Sequence, residues 1–210
     1  VKCIWLAGKV FHDMTKTISY YNKNAFDFII STQEVEFCEI QMRFTGILSK
    51  GSRILDFGCG SGRDTKYFLS QGYRVDALDG SEEMCRLASA YTKIPVCHML
   101  FQELSAENIY DGIWACSSIL HLPYGELGDV LLKMSRALKE NGIVYTSFKY
   151  GTFEGERNGR YFTDMTEEKM EKLLHETSVF HTEEQWISTD VRPGRGEEKW
   201  LNIILRKNRM

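Results

Sequence analysis

The residues best suited to chemistry follow a short apolar segment, residues 53–57. Three glycines come next at alternate positions, Gly58, Gly60 and Gly62. Glycine has no Cβ and tolerates positive φ, so the backbone can turn tightly and approach a ligand closely. A helix predicted over residues 64–70 would aim its free N–H groups and its positive dipole end at that ligand. The pattern predicts a strand, a turn and a helix that together bind a small molecule.

Two residues of this turn differ from what a dinucleotide-binding turn requires. The third glycine of the dinucleotide pattern would stand where this chain has Arg63. Asp56 precedes the first glycine by two residues, and its carboxylate suits a ligand with a positive amine and sulfonium better than a pyrophosphate. The stretch resembles the first motif of the class I S-adenosylmethionine-dependent methyltransferases, and the chain is similar in outline to the tellurite-resistance methyltransferases. The resemblance implies S-adenosyl-L-methionine as the cofactor, with Asp56 and the glycines around its methionyl part.

A second acidic residue stands where a ribose ligand is expected. Asp79 ends a predicted strand over residues 73–78 and lies 21 positions after Gly58, close to the roughly 20-residue spacing of such folds. One carboxylate can accept hydrogen bonds from both ribose hydroxyls. A turn-forming role is the alternative for Asp79. Ser81 is predicted to cap the next helix.

Polar residues after the next two predicted strands extend the site. Phe101 and Gln102 follow the strand over residues 94–98, where an adenine ring would lie, although both could equally be ordinary loop residues. Ser117 and His121 follow the buried strand over residues 113–116, at the edge where the acceptor pocket falls in class I methyltransferases. His121 could accept a proton or orient a nucleophile, because its ordinary pKa lies near neutrality. A capping histidine is the alternative.

The sequence predicts two sets of site residues, one for cofactor binding and one for catalysis. The cofactor-binding candidates are Tyr20, Asp56, Gly58, Cys59, Gly60, Gly62, Arg63, Asp79, Gly80, Ser81, Met84, Phe101, Gln102, Cys116, Ser117 and His121. The catalytic candidates are His121, Tyr150 and Arg160, and no metal site is expected.

Alternation of strand and helix over residues 52–148 predicts an α/β fold with a doubly wound, mostly parallel sheet. The resemblance implies that two late strands close it as an antiparallel C-terminal hairpin. We expect one domain, with residues 51–210 forming the methyltransferase domain and residues 1–50 a helical lid segment packed on it. Tyr20 and Tyr21 would belong to that lid, with surface packing as the alternative.

Two polar, glycine-containing segments are predicted to be loops that overhang the crevice. They are residues 151–163 and the hairpin loop over residues 190–196. Together with the adjoining Tyr150 they hold Arg157, Arg160, Tyr161, Arg192 and Arg195. Planar guanidinium groups suit an anionic acceptor. A solvated loop surface is the alternative.

Composition limits the possible classes of function. A chain of 210 residues with 43% hydrophobic residues can bury one sizeable core. A formal net charge of -3 gives no reason to expect a nucleic acid or an anionic membrane as partner, and no apolar run approaches the length of a membrane span. The six cysteines show no short paired spacing, so we expect reduced thiols and a cytoplasmic protein.

The sequence therefore predicts an S-adenosylmethionine-dependent methyltransferase that acts on a small-molecule acceptor, and the arginines of the two loops favour an anionic one. A non-catalytic nucleotide-binding module on the same fold is the alternative. A nucleic-acid methyltransferase is less favoured, because the chain lacks an Asn/Asp-Pro-Pro-Tyr run, a Cys-based cytosine motif and a basic face. Arg63 disfavours an NAD-dependent oxidoreductase. Neither the acceptor nor the oligomeric state follows from the sequence.

Overall fold

A computed structural model describes residues 15–192 and 194–209. Its strands are β1 (Arg53–Phe57), β2 (Arg74–Asp79), β3 (Val96–His98), β4 (Tyr110–Ala115), β5 (Leu138–Lys149), β6 (Glu154–Arg157), β7 (Arg160–Thr163), β8 (Phe180–Thr189) and β9 (Lys199–Lys207). Seven of them form one sheet in the order β3-β2-β1-β4-β5-β9-β8. Strands β1 to β5 pair in parallel, whereas β9 pairs antiparallel with β5 and β8. The predicted fold class is confirmed.

The helices are α1 (residues 15–23 of the described chain), α2 (Ala25–Thr32), α3 (Cys38–Thr45), α4 (Arg63–Ser70), α5 (Glu82–Thr92), α6 (Tyr124–Ala137) and α7 (Glu167–Thr177). Two single 3₁₀ turns lie at Phe101–Glu103 and Ile119–His121. Among the described residues no helix combines the length and the apolar character that a bilayer crossing needs.

The sheet is buried on both faces, as parallel strands with crossover helices require. In β4, Ile113 belongs to the larger apolar cluster, which includes residues of α6 and α7. Its neighbour Trp114 belongs to an aromatic cluster on the opposite side, with Phe44 of α3 and Phe68 of α4. Trp114 stacks on Tyr145 of β5, with 4.0 Å between ring centroids and 21° between ring planes. The two packed layers hold the carboxyl ends of β1, β2, β4 and β5 in a fixed arrangement.

The glycine turn lies between β1 and α4, as predicted, and two of its positions need glycine. Gly58 has φ +87°, and a Cβ there would come within 2.5 Å of the Ser118 Cβ. Gly62 has φ +79°, and a Cβ there would come within 2.8 Å of the Thr92 Cγ2. Close packing and left-handed backbone therefore both exclude larger side chains.

The predicted long loop over residues 151–163 is wrong, because the segment forms a two-stranded hairpin of β6 and β7. Asn158 and Gly159 join the strands with φ of +53° and +75°. Positive φ at both central positions is what a type I′ hairpin turn requires. The polar composition concealed the strands, but the Asn-Gly pair carried the signal for the turn.

The stretch Thr32-Gln33-Glu34-Val35 predicts a helix N-cap at Thr32, with an acidic residue in the first turn, but this prediction is wrong. Thr32 ends α2, and its Oγ1 donates to the Phe28 carbonyl at 2.7 Å. The next helix, α3, begins only at Cys38. A Ser or Thr side chain can bond to the carbonyl one turn earlier as well as cap a following turn, so its type alone does not give the direction.

Candidate functional site

A cavity lies at the carboxyl ends of β1, β2, β4 and β5, where the topology of a doubly wound sheet places ligands. Helices α1 and α2 cover it from one side, and the loop between β8 and β9 covers it from the other. The space between its atoms is about 1530 Å³, part of it open to solvent.

Asp79 faces this cavity from the end of β2. Its Oδ2 accepts from the Gly60 N–H at 2.9 Å, and its Oδ1 accepts from the Ser81 N–H at 2.8 Å. Burial raises the pKa of Asp79, and the two backbone donors oppose that rise. Each carboxylate oxygen keeps lone-pair capacity beyond its one backbone donor. The carboxylate is therefore held in place and can still accept from a ligand.

Asp56 lies beneath the turn and not on the cavity wall. Only 2% of its surface is exposed, and it accepts from the Thr65 Oγ1 of α4 at 2.5 Å. Burial, followed by the nearby Asp64 carboxylate, raises the pKa of Asp56 to about 8. Asp56 thus ties the end of β1 to the first turn of α4, and it supports the loop from below.

Asp64 forms the centre of a buried hydrogen-bonded network. It accepts from the Nε and NH2 of Arg63 at 2.8 and 2.9 Å, from the Gln41 Nε2 at 2.7 Å and from the Trp114 Nε1 at 2.9 Å. Burial would raise the pKa of Asp64, but the Arg63 charge and these donors lower it overall. The Arg63 guanidinium also lies 4.3 Å from the centroid of the Phe37 ring. The network fixes Arg63 on the cavity wall.

His121, Tyr21 and Arg160 meet at a different part of the wall. His121 is 7% exposed, its Nε2 lies 2.8 Å from the Tyr21 hydroxyl, and its Nδ1 lies 2.6 Å from the Tyr161 carbonyl oxygen. Arg160 NH1 donates to the same Tyr21 hydroxyl at 3.2 Å. Burial, with a smaller contribution from Arg160, lowers the pKa of His121 to about 4.

The other arginines near the cavity are paired with carboxylates of the chain. Arg192 binds Asp190 through two nitrogens, and Arg195 binds Glu198 in the same way. Arg160 instead lies against aromatic rings, and its Nε is buried without a hydrogen-bond partner. Within the described part of the chain, no carboxylate forms an ion pair with Arg160, so its charge remains uncompensated.

Hydroxyl groups line the cavity at the end of β4. Ser117 has φ +51°, an uncommon value for a residue other than glycine. Its N–H donates to the Ser147 Oγ at 2.9 Å, and the two hydroxyls lie 3.2 Å apart. Such a backbone conformation at a site edge is typical of a positioned functional loop.

Most of the predicted site residues line this one cavity. They are Gly58, Cys59, Gly60, Arg63, Asp79, Gly80, Ser81, Met84, Phe101, Cys116, Ser117, His121 and Arg160. Arg192 and Arg195 line it too.

Five predicted residues lie elsewhere. Asp56 is beneath the turn, and Gly62 faces the Thr92 and Ala88 side chains of α5. Gln102 donates to the Glu126 Oε2 at 2.6 Å. Tyr150 is 38% exposed, and its hydroxyl interacts with Glu167, which raises its pKa.

The fifth is Tyr20, whose ring lies against Arg160, whereas its neighbour Tyr21 lines the cavity. Tyr21 was predicted only as part of the lid and was not among the site candidates, although a helical period would have placed it there. Tyr21 follows Thr17 by four residues and Ile18 by three on α1, and all three line the cavity.

Comparison with known proteins agrees with this geometry. Residues 54–142, from β1 into β5, match the family model described as a methyltransferase domain. Among solved structures, 1,6-didemethyltoxoflavin-N1-methyltransferase of Burkholderia thailandensis, with bound 1,6-didemethyltoxoflavin and S-adenosylhomocysteine, superposes with a TM-score of 0.78 at 23% identity. That match covers 95% of this chain and 91% of the other. Magnesium protoporphyrin IX methyltransferase of Synechocystis, with bound S-adenosylhomocysteine, gives 0.69 at 18% identity and covers 93% and 100%.

Curated relatives share the core region. Ubiquinone biosynthesis O-methyltransferase of Rickettsia canadensis is 29% identical over 99 residues, which are 45% of this chain and 41% of the relative. Malonyl-[acyl-carrier protein] O-methyltransferase of Salmonella typhimurium is 27% identical over 138 residues, which are 63% of this chain and 53% of the relative. The chain thus spans about half the length of these two relatives or less.

The chain has the fold of the class I S-adenosylmethionine-dependent methyltransferases, and the matched domain and the neighbouring structures indicate S-adenosyl-L-methionine as the cofactor. The residues present fit that cofactor. At Gly58 a Cβ would close the space between the turn and Ser118, and Asp79 keeps acceptor capacity toward the cavity.

Proposed function

We propose that this protein transfers a methyl group from S-adenosyl-L-methionine to a small-molecule acceptor that carries an anionic group. The observation that carries the proposal is one continuous cavity. The glycine turn and Asp79 form one part of its wall, and the uncompensated Arg160 forms another. A cofactor and an acceptor can therefore lie side by side, which is what an in-line transfer needs.

In this proposal the turn holds the methionyl part of the cofactor, and the pairing with Asp64 holds Arg63 beside it on the cavity wall. Asp79 would accept from the ribose hydroxyls, while Met84 and Phe101 would contact the adenine. The bound cofactor supplies a sulfonium methyl group that is already electrophilic. The chain's own task is to align the acceptor and to exclude water. Asp56 supports the turn without touching the ligand.

Arg160 is the residue that supports an anionic acceptor. Arg192 and Arg195 already bind Asp190 and Glu198, so their charges are largely used within the chain. The Arg160 guanidinium has donors left over, and its Nε has no partner. A buried donor without a partner is costly, and an anionic ligand would satisfy it.

We also propose that the described part of the predicted segment 1–50, residues 15–50, acts as a lid on a methyltransferase domain formed by residues 51–210, in a cytoplasmic protein; residues 1–14 lie outside the described residues. Two contacts hold α1 over the cavity. The Ser81 hydroxyl donates to the Asn22 Oδ1 at 2.7 Å, and the Tyr161 N–H donates to the Thr17 Oγ1 at 2.9 Å. Opening and closing of this lid would admit the ligands and then exclude water.

Incubation with S-adenosyl-L-methionine and a panel of metabolites, followed by mass spectrometry, tests the proposal. We expect a gain of one methyl group on acceptors with a carboxylate or another anionic group. Arg160→Gln should lower kcat/KM by at least about tenfold, as loss of a charged hydrogen bond does. The matched control is Arg136→Gln, since Arg136 is exposed on α6.

Two results would count against this function. Equal methylation of neutral and anionic acceptors, with a silent Arg160→Gln, would exclude the anionic class. Binding of S-adenosylhomocysteine without any transfer would favour a non-catalytic binding module.

A further inference from the structure

The hydrogen bonds around His121 have a defined direction. The Tyr161 carbonyl can only accept, so the Nδ1 of His121, 2.6 Å away, carries the proton. The neutral ring then has a lone pair on Nε2, which accepts from the Tyr21 hydroxyl at 2.8 Å. The Tyr21 oxygen in turn accepts from Arg160 NH1 at 3.2 Å. The donors therefore run in one direction, from Arg160 through Tyr21 and His121 to the Tyr161 carbonyl.

Tyr21 is the member of the chain that can meet an acceptor. It lines the cavity from α1, and its oxygen has a second lone pair beyond the one that Arg160 uses. Its ring is held edge-on by Phe28 and by the His121 ring, at centroid distances of 5.2 and 5.5 Å. The remaining lone pair is therefore fixed in position and suited to accept from an O–H or N–H group.

We propose that Tyr21 and His121 form a proton relay for an acceptor whose nucleophilic atom carries a proton, and that the anionic group of the same acceptor lies against Arg160. This inference rests on the proposed function and narrows the substrate class. The acceptor is a compound with both an anionic group and a hydroxyl or N–H group.

The step balances without a further reactant. The acceptor heteroatom forms a bond to the methyl carbon, while the methyl–sulfur bond breaks and leaves its electron pair on sulfur. The acceptor proton moves to the Tyr21 oxygen as the Tyr21 proton moves to the His121 Nε2. The resulting imidazolium loses its proton to solvent after product release. Tyr21 would be the catalytic residue, and His121 would act through it.

Charges around the relay explain why an anionic acceptor is needed. Arg160 from β7 and the buried setting both disfavour a charged His121 ring, and they lower its pKa. Tyr21 from α1 has a raised pKa, because burial outweighs the opposing effect of Arg160, with Asp79 of β2 also raising it. An anion bound to Arg160 would offset the guanidinium charge and make protonation of His121 easier. The relay would then accept a proton only when the acceptor is bound.

The direction of the relay can be tested without a known acceptor. Nitrogen-15 NMR of the histidine-labelled full chain with S-adenosylhomocysteine should show His121 as the neutral Nδ1–H tautomer from pH 5 to 8. His121→Gln assigns the signal, and Tyr21→Phe should shift its Nε2 resonance toward that of an unbonded nitrogen. His175→Gln, on the exposed side of α7, is the control. An Nε2–H tautomer, or titration near the ordinary pKa of about 6.5, would overturn the relay.

Kinetics with an acceptor from the metabolite panel supply the second test. Tyr21→Phe and His121→Gln should each lower kcat by about 100-fold or more, the usual size of a general acid–base effect. The wild-type protein should show a solvent deuterium isotope effect on single-turnover methyl transfer, and both variants should lose it. Tyr91→Phe, on the outer side of α5, is the control and should keep the wild-type rate.

The outcomes separate the two proposals. Methyl transfer that Tyr21→Phe leaves unchanged would overturn the relay and leave the methyltransferase function standing. A complete lack of transfer across the panel would overturn the proposed function, and the relay with it.

Discussion

At the scale of single residues, three aspartates of the site differ in what surrounds them. Asp79 is held by two backbone N–H groups and faces the cavity, Asp64 is held by Arg63 and Trp114, and Asp56 is held by Thr65 beneath the turn. The sequence predicted the position of Asp79 through its spacing from the glycines. The direction of the Asp56 side chain could not be predicted, because it depends on the hydroxyl that α4 presents.

Asp79→Asn should weaken the binding of S-adenosylhomocysteine by about 1.5–3 kcal/mol, the range for hydrogen bonds to a charged group. The carboxylate of Asp79 accepts from the N–H groups of both Gly60 and Ser81. The amide side chain of the variant would place an NH₂ group against one of these two donors, so one hydrogen bond would be lost. Isothermal titration calorimetry measures the change. Asp129→Asn, on the exposed face of α6, is the control, and unchanged affinity in a folded Asp79→Asn protein would remove Asp79 from the site.

At the scale of elements, the strands that support the site follow from the sequence, because buried runs such as residues 113–116 have no polar interruption. The hairpin of β6 and β7 was missed for the opposite reason. β6 alternates exposed and half-buried residues, both strands carry charged residues, and within the hairpin only Phe162 and Thr163 of β7 are buried. Arg160 consequently lies on a strand that faces α1, and not on a mobile loop. Its contact with Tyr21, 139 residues away in the sequence, is long-range, and no local pattern encodes it.

Gly62→Ala should destabilise the protein more than Gly72→Ala does. Both glycines have positive φ, +79° and +85°, so both substitutions strain the backbone by about 1–3 kcal/mol. At Gly62 the new methyl group would also meet Thr92 and Ala88 of α5, whereas at Gly72 there is open space. Urea unfolding measures the difference between the variants. Equal losses of unfolding free energy in the two variants would show that the packing of the turn on α5 does not constrain it.

At the scale of the whole molecule, two buried groups give stability an opposing dependence on pH. The folded state keeps a proton on Asp56, whose pKa burial and Asp64 raise to about 8, whereas the unfolded chain loses that proton near pH 4. In the folded state His121 stays neutral above about pH 4, because burial lowers its pKa to about 4. In the unfolded chain the same side chain stays protonated up to about pH 6.5. Rising pH therefore weakens the fold through Asp56 and strengthens it through His121.

The two effects offset one another below about pH 6.5, and only the Asp56 effect remains between about pH 6.5 and 8. The free energy of unfolding of the ligand-free protein should fall in that window, by at most about 1.4 kcal/mol per pH unit. Asp56→Asn should flatten the decline, because an amide does not titrate. Urea unfolding at several pH values measures it. An identical slope in wild-type and variant proteins would show that Asp56 is already ionised in the fold.

Calorimetric titration of the wild-type protein, first with S-adenosylhomocysteine and then with NADH, tests the central claim most directly. The glycine turn, Asp79 and the cavity predict saturable binding of one S-adenosylhomocysteine per chain. They also predict no binding of NADH, because Arg63 stands in place of the third glycine and contacts Asp64. Saturable binding of NADH, with no heat from S-adenosylhomocysteine, would contradict the assignment of this cavity to a methyltransferase.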